Sequence, residues 1–261
     1  MTPSPIYIKY KQGFSLIEMA IVLFIVALLL GGLLPTVSSQ IDQQRTNETR
    51  KQLDEIQQAL IGYAVINGRL PCPASDTSVG EESFDTGAGG NSSNGKCSNF
   101  YDGFVPAATL GLSTGADNHG RKGFAVDAWG NRIRYVVTDA NTRAFTTTNY
   151  MSTYFSTLAP DLLICSTSSG ISPSSCSSGN ALTSNPGVPA VIFSTGKNGA
   201  YGGTGFDEAA NLDGTNAIPN KTFVYHTPTP SSATNGEFDD LVIWISPNIL
   251  INRMVAAGKL P

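Results

Sequence analysis

The feature that most constrains this chain is an apolar run close to its N-terminus. Residues 19–34 contain no charged or strongly polar side chain, and only Ser15 and Glu18 interrupt the apolar character just before them. From residue 14 to residue 34 the segment has about 21 residues, or roughly 31 Å as an α-helix, which is enough to cross the core of a bilayer. The sequence therefore predicts a transmembrane segment over about residues 14–34.

The charges around this run predict its orientation. A short leader, residues 1–13, carries two lysines and no acidic residue. Because these positive charges lie on one side of the predicted span, the N-terminus is placed in the cytoplasm and the rest of the chain outside it. Glu18 lies inside the apolar segment, where a carboxylate without a cationic partner would be unfavourable. Its presence needs a specific explanation.

The sequence G-F-S-L-I-E at residues 13–18 resembles, residue for residue, the processing signal of type IV prepilins and type II secretion pseudopilins. The resemblance implies that a prepilin peptidase cleaves after Gly13 and that the new N-terminal residue, Phe14, is N-methylated. It also implies an assembly role for Glu18, which binds the N-terminal amine of a neighbouring subunit.

Two other kinds of N-terminal segment share this hydropathy. A secretory signal would place a small-residue cleavage site after the apolar run, where Ser38-Ser39 is only a weak candidate. A plain single-span anchor leaves the Gly13–Phe14 junction and Glu18 unexplained. The prepilin signal accounts for all of these features.

An amphipathic pattern follows and predicts that the helix continues beyond the membrane. Leu53, Ile56, Leu60 and Tyr63 recur at spacings of three and four residues, which places them on one helical face. An Asn-Gly pair at residues 67–68 predicts the end of the helix.

The resemblance implies an α+β, pilin-like fold with three parts. A leader, residues 1–13, precedes a long helix, residues 14–69, whose first half spans the membrane. The helix packs on the small antiparallel sheet of a head, residues 70–261, which carries long disulfide-closed loops.

A tryptophan-containing turn marks one part of the head. Residues 127–135 are similar to the D-P-W-G-N-P-Y-x-Y segment of the major pseudopilin, with Ala128 and Arg132 in place of its prolines. Trp129 is therefore interpreted as a core anchor rather than a ligand platform. Strands are predicted at residues 132–137, 188–194 and 238–245, of which 188–194 is the candidate for a buried strand, and a final helix is predicted at residues 246–257.

Four cysteines predict disulfides if the head lies in an oxidising compartment. They allow three connectivities. The simplest is sequential, Cys72–Cys97 and Cys165–Cys176, in which each bridge closes a polar loop and contributes roughly 3 kcal/mol. Metal binding is the rival interpretation, but the chain has no C-x-x-C motif, and its two histidines are distant in sequence from the cysteines.

The resemblance to the major pseudopilin also implies a candidate calcium site. A glycine-rich loop follows Ser194, and the acidic pair Asp239-Asp240 comes later in the chain. By resemblance, Asp239 and Asp240 supply carboxylates to Ca²⁺, while Ser194 and loop carbonyls complete the oxygen shell. The chain departs from the pattern at Asn198, where an acid is usual. The insertion that follows the loop offers two further acids, Asp207 and Asp213.

The composition argues against several other functions. With a net charge of −4 and a pI near 5.1, the chain has no electrostatic footprint for nucleic acid. No nucleophile motif or phosphate-binding motif occurs, and His119 and His226 are isolated in sequence and are interpreted as surface residues. We therefore do not expect an enzyme.

The resemblance implies a structural subunit, a minor pilin or pseudopilin, of a type IV pilus or type II secretion pseudopilus. Its implied partners are the prepilin peptidase, other pilin or pseudopilin subunits, the assembly platform of the bacterial inner membrane and the lipid bilayer. The implied location is the inner membrane, with the head in the periplasm, and then the filament. An alternative is a pilus-tip adhesin with a ligand-binding head.

Overall fold

The computed structural model of the chain describes residues 13, 15–183, 186–199, 205–213 and 219–261, with the backbone alone for residues 30–37. The chain divides into two compact units, Met1–Gln44 and Arg45–Pro261. Phe14 and nearly all of the predicted leader lie outside the described residues.

Within these residues, helices and strands occur in mixed order along the chain. The helices are α1 (Leu16–Asn67), α2 (Ala107–Leu110), α3 (Ala140–Arg143), α4 (Tyr150–Thr153), α5 (Phe206–Leu212) and α6 (Pro247–Ala256). The strands are β1 (Gly103–Phe104), β2 (Gly115–Ala116), β3 (Lys122–Phe124), β4 (Arg134–Val137), β5 (Leu163–Cys165), β6 (Ala190–Ser194), β7 (Thr222–Val224) and β8 (Leu241–Ile245).

The first unit contains the start of α1, whose apolar side chains face outward. Leu16 is 92% exposed and Phe24 65% exposed. Across the described residues, no helix combines the length and the apolar character that a membrane crossing requires. The predicted span, about residues 14–34, also includes Phe14 and the side chains of residues 30–34, which lie outside that description.

The second unit is built on a four-stranded antiparallel sheet in the order β1-β4-β6-β8. Strand β6 is central and buried along its whole length, as its continuous apolar run predicts. Two smaller sheets accompany it: β2 and β3 are antiparallel, whereas β5 and β7 are parallel. The sequence predicts a small antiparallel sheet and gives no indication of the parallel pair.

The part of α1 in the second unit packs on this sheet through the predicted apolar face. Leu53, Ile56 and Leu60 are at most 3% exposed and belong to the main hydrophobic core. At the edge of the sheet, Gln57 Nε2 donates to the carbonyl oxygen of Trp244, at 2.8 Å. The amphipathic spacing in the sequence therefore corresponds to a real packing face.

Both sequential disulfides are present. Cys72–Cys97 spans 25 residues and Cys165–Cys176 spans 11 residues. The first bridge lies in the main core, because both of its cysteines are at most 1% exposed. Among the described residues no cysteine is free.

A buried ion pair joins the end of α1 to the loop that the first disulfide closes. Arg69 and Glu82 form two parallel hydrogen bonds, at 2.6 and 3.1 Å, and their side chains are only 2% and 4% exposed. Glu82 also accepts from the hydroxyl of Tyr63 at 2.8 Å and from the backbone N–H of Cys72 at 2.6 Å. One carboxylate thus ties the loop to the end of α1 and to the segment that follows it.

Replacing Glu82 by glutamine should lower the free energy of unfolding by about 3 kcal/mol, because the Arg69 guanidinium would stay buried without its anion. In a domain of this size, that loss lowers Tm by roughly 6–12 °C. Thermal unfolding of the full chain in detergent, followed by near-UV circular dichroism, measures the change.

The matched control is Glu55→Gln. Its partner Lys51 lies 3.9 Å away, and the side chains are 81% and 61% exposed. An exposed pair of this kind contributes less than about 1 kcal/mol. If both variants unfolded at the wild-type temperature, the buried pair would not have the role assigned to it.

Candidate functional site

The sheet brings the glycine-rich loop and the acidic pair together. Strands β6 and β8 are antiparallel neighbours, and Ser194 at the end of β6 lies opposite Leu241 at the start of β8. The loop that follows Ser194 and the residues that precede Leu241 therefore meet at one end of the sheet. Asp239 and Asp240 are placed beside the loop by this register, as the sequence analysis predicted for a calcium site.

A third carboxylate, which the sequence analysis did not select, completes the cluster. Oxygen atoms of Glu208, Asp239 and Asp240 lie within 4.8 Å of one another. Glu208 lies in the first turn of α5 and is fully buried, and Asp240 is 3% exposed. Glu208 could have been selected only if its burial were known. The polar sequence around it gives no sign that it is buried.

Backbone and amide donors fix two of the carboxylates. The N–H groups of Lys197 and Asn198 donate to Asp239 Oδ2, at 3.0 and 3.3 Å. The side-chain amide of Asn198 donates to both oxygens of Glu208, at 3.1 and 3.0 Å. Asn198, which stands where an acid is usual, thus tethers the loop to α5.

Asp240 is held separately from the other two acids. Its Oδ2 accepts from Asn211 Nδ2 at 2.7 Å, and Asn211 lies on α5. Gly196 is required at the loop turn. Its φ is +63°, and a Cβ there would lie 2.1 Å from Asp239 Oδ1.

Two buried oxygen atoms in this site have no hydrogen-bond partner in the structure. They are Asp239 Oδ1 and Asn198 Oδ1. A buried polar atom without a partner is unfavourable. Together with the carboxylates, these atoms form a set of oxygen ligands of the type that Ca²⁺ prefers. The residues present therefore fit a hard divalent cation.

The electrostatics of the cluster favour the binding of a cation. Burial and the nearby charge of Glu208 raise the pKa of Asp239 to about 7. Burial raises the pKa of Asp240 well above its ordinary value, and Glu208 and Asp239 add to that rise. Asp239 and Asp240 would be stabilised in their ionised forms by a nearby positive charge.

Ser194 has other partners. Its hydroxyl donates to Asp127 Oδ2 at 2.6 Å, and its Oγ accepts from the N–H of Gly196 at 3.1 Å. The structure thus gives Ser194 a role in fixing the loop against the tryptophan-containing turn. The later part of the predicted loop, residues 200–204, lies outside the described residues.

Asp207 and Asp213, the two acids of the insertion that the sequence offers as further ligands, have other partners in the structure. Asp207 accepts from the N–H of Ser168 at 2.5 Å and contacts His226 Nε2 at 3.1 Å. Asp213 accepts from the side-chain amide of Asn220. Neither joins the cluster of Glu208, Asp239 and Asp240.

The predicted processing site lies at the start of α1. Gly13 and Ser15 are exposed, and the helix begins at Leu16. The N–H of Ser15 donates to Glu18 Oε2 at 2.9 Å, and the N–H of Glu18 donates to Ser15 Oγ at 3.3 Å. This reciprocal pair is a capping box, so Glu18 also stabilises the first turn of its own helix.

Comparison with known families finds one match, at the N-terminus. Residues 8–34 match the prokaryotic N-terminal methylation motif, the prepilin-type cleavage and methylation domain. Neither the comparison with curated proteins nor the comparison with solved structures returns a match. Residues 8–34 of the chain therefore carry a cleavage and methylation motif of the prepilin type.

Proposed function

We propose that the chain is a minor pilin or pseudopilin that is cleaved after Gly13, methylated on Phe14 and assembled through α1 into a type IV pilus or a type II secretion pseudopilus. The match of residues 8–34 to the methylation motif carries this proposal. The prepilin peptidase and other pilin subunits are the partners that the motif implies. The other proposed partners are the assembly platform of the inner membrane and the lipid bilayer.

The exposed apolar surface at the start of α1 supports the same function. Side chains such as Leu16, Leu23 and Phe24 are more than 60% exposed. Burial of apolar surface is favourable by roughly 25 cal/mol per Å². A bilayer covers this surface before assembly, and neighbouring α1 helices cover it in the filament. The head then lies in the periplasm or on the filament surface.

Glu18 provides the specific contact in this assembly. Cleavage after Gly13 creates a new amine, and a neighbouring subunit brings that cation to the carboxylate of Glu18. In the described part of the chain, Glu18 caps its own helix. In an apolar filament core, a carboxylate without a cationic partner is unfavourable. The pairing of Glu18 with the neighbouring amine therefore favours one register between subunits.

Calcium binding to the head is the second part of the proposal. Asp239, Asp240 and Glu208 supply the carboxylates, and Asn198 Oδ1 supplies an amide oxygen. A bound Ca²⁺ supplies the positive charge that lets these acids ionise together. It would hold the Gly196–Asn198 turn against α5, and its role is structural.

The variant Glu18→Gln tests assembly. We expect membrane insertion and cleavage to continue, while the amount in sheared filaments falls at least tenfold, because the neutral amide cannot neutralise the neighbouring amine. Intact-mass analysis of the membrane fraction should show a mature chain that begins with N-methylated Phe14. Immunoblots of filament fractions quantify incorporation.

Glu48→Gln is the control for assembly, since Glu48 is exposed on the same helix in the second unit. It should enter filaments at the wild-type level. Normal incorporation of Glu18→Gln would contradict the assembly role, and a membrane form that still begins at Met1 would contradict processing.

Calcium should change the pH dependence of stability. The raised pKa of Asp239, about 7, favours its protonated form in the folded head. Without metal, the raised pKa of Asp239 contributes to the free energy of unfolding. This stabilisation is complete below about pH 4 and is lost as pH rises through 7, so Tm should fall over that range. At pH 8, Ca²⁺ at 100 times its Kd should restore about 2.7 kcal/mol. Scanning calorimetry of the full chain, with EDTA or calcium, measures both effects.

Asp239→Asn should abolish the calcium-dependent rise in Tm, whereas the exposed-site control Asp54→Asn should keep it. Magnesium should give a smaller rise, because it demands a stricter octahedral geometry. A wild-type Tm at pH 8 that calcium does not change would rule out the proposed site.

A further inference from the structure

The capping box at the start of α1 lies directly beside the predicted cleavage point. Ser15 is the N-cap residue, since it lies outside the helix and α1 begins at Leu16. Its N–H donates to Glu18 Oε2 at 2.9 Å, and its Oγ accepts from the N–H of Glu18 at 3.3 Å. Both members of this box belong to the G-F-S-L-I-E sequence that begins at Gly13. The cap and the processing signal therefore share their residues.

The box fixes the residue at which α1 begins. In an α-helix the N–H of residue i donates to the carbonyl of residue i−4, so the N–H of Glu18 would bond the carbonyl of Phe14 if the helix began one residue earlier. Ser15 Oγ accepts from that N–H instead. In the described residues, the first helical backbone bond runs from the N–H of Met19 to the carbonyl of Ser15, at 3.2 Å. The hydroxyl thus competes with growth of the helix towards the leader.

Few other features of the sequence would stop that growth. The leader has no proline between residues 6 and 12, and Gly13 is its one weak helix former close to α1. At a bilayer, backbone groups without hydrogen-bond partners are unfavourable, so a helix without a cap gains bonds by growing. The capping box is therefore the main device in this segment that sets the helix boundary.

A boundary at this position favours cleavage. Peptide bonds inside an α-helix are held by its backbone hydrogen bonds, whereas exposed segments outside regular structure are the preferred sites of proteolysis. Gly13 and Ser15, the described residues on either side of the predicted cleavage point, are both exposed and lie outside α1. Growth of the helix by a few residues would bring this segment into its first turn.

We propose that Ser15 is a positioning residue for processing, because its hydroxyl caps α1 and so keeps the Gly13–Phe14 bond outside the helix, where the prepilin peptidase reaches it. This inference rests on the proposed cleavage after Gly13. Glu18 supplies the other half of the cap, so it serves processing in the precursor as well as assembly of the mature chain. A glutamine at residue 18 retains a capping box, which agrees with the cleavage expected of Glu18→Gln.

The test measures the rate at which purified prepilin peptidase cleaves the full-length precursor in detergent micelles, followed by intact mass. Ser15→Ala removes the acceptor of the cap. Loss of a serine cap shifts a helix-boundary equilibrium by about fivefold, so cleavage should slow by about two- to fivefold. Ser15→Thr keeps the hydroxyl, and it should be cleaved at close to the wild-type rate although its side chain is larger.

A second measurement observes the helix boundary itself. The ¹³Cα chemical shifts of Gly13 and residue 15 in the uncleaved precursor report whether these residues are helical. Both should move towards helical values in Ser15→Ala and stay non-helical in the wild type and in Ser15→Thr. The matched control is Ser38→Ala, because Ser38 is an exposed serine of the same helix far from the cap. It should change neither the shifts nor the cleavage rate.

The outcomes separate this inference from the proposed function. Equal or faster cleavage of Ser15→Ala would overturn the role of Ser15 and leave the proposed processing intact. Slow cleavage of Ser15→Thr with an unchanged Gly13 shift would also overturn it, because side-chain size rather than capping would then control the rate. A wild-type precursor that the peptidase does not cleave would contradict the proposed function itself, and the inference with it.

Discussion

The buried pair of Arg69 and Glu82 is the interaction on which the order of the head most depends. The disulfide loop between Cys72 and Cys97 is rich in Gly, Ser and Asn and buries little apolar surface of its own. Glu82 lies inside this loop and ties it to the end of α1. Because an unpaired buried charge is so unfavourable, the pair specifies one arrangement of the loop, and the disulfide limits the alternatives.

Features that depend on local apolar periodicity could be predicted from the sequence. The spacing of Leu53, Ile56 and Leu60 predicts which face of α1 packs on the sheet. The uninterrupted apolar run of β6 predicts a buried strand inside that sheet. The turn before β4 could also be predicted from the sequence. Asp127 Oδ1 accepts from the N–H groups of Trp129 and Asn131, which is the local bonding that an Asp-x-Trp-Gly-Asn sequence favours.

Features that depend on charges in polar loops could not be predicted. Glu208 and Glu82 occur in segments that look solvated in the sequence, and only the fold shows that Glu208 meets Asp239, 31 residues away. The parallel pairing of β5 with β7 could not be predicted for a different reason. It joins strands that β6 and α5 separate in the chain, and no short-range pattern specifies which distant strand a three-residue segment will join.

The loop after β6 joins the carboxylate cluster to the tryptophan-containing turn. It is fixed to Asp239 by the N–H groups of Lys197 and Asn198, and the carbonyl of Gly196 accepts from Asn131 Nδ2 at 2.6 Å. Ser194, at the end of β6, donates to Asp127 Oδ2 of the same turn at 2.6 Å. Because one loop makes both sets of hydrogen bonds, the position of the Asp239 carboxylate depends on the turn before β4 as well as on α5.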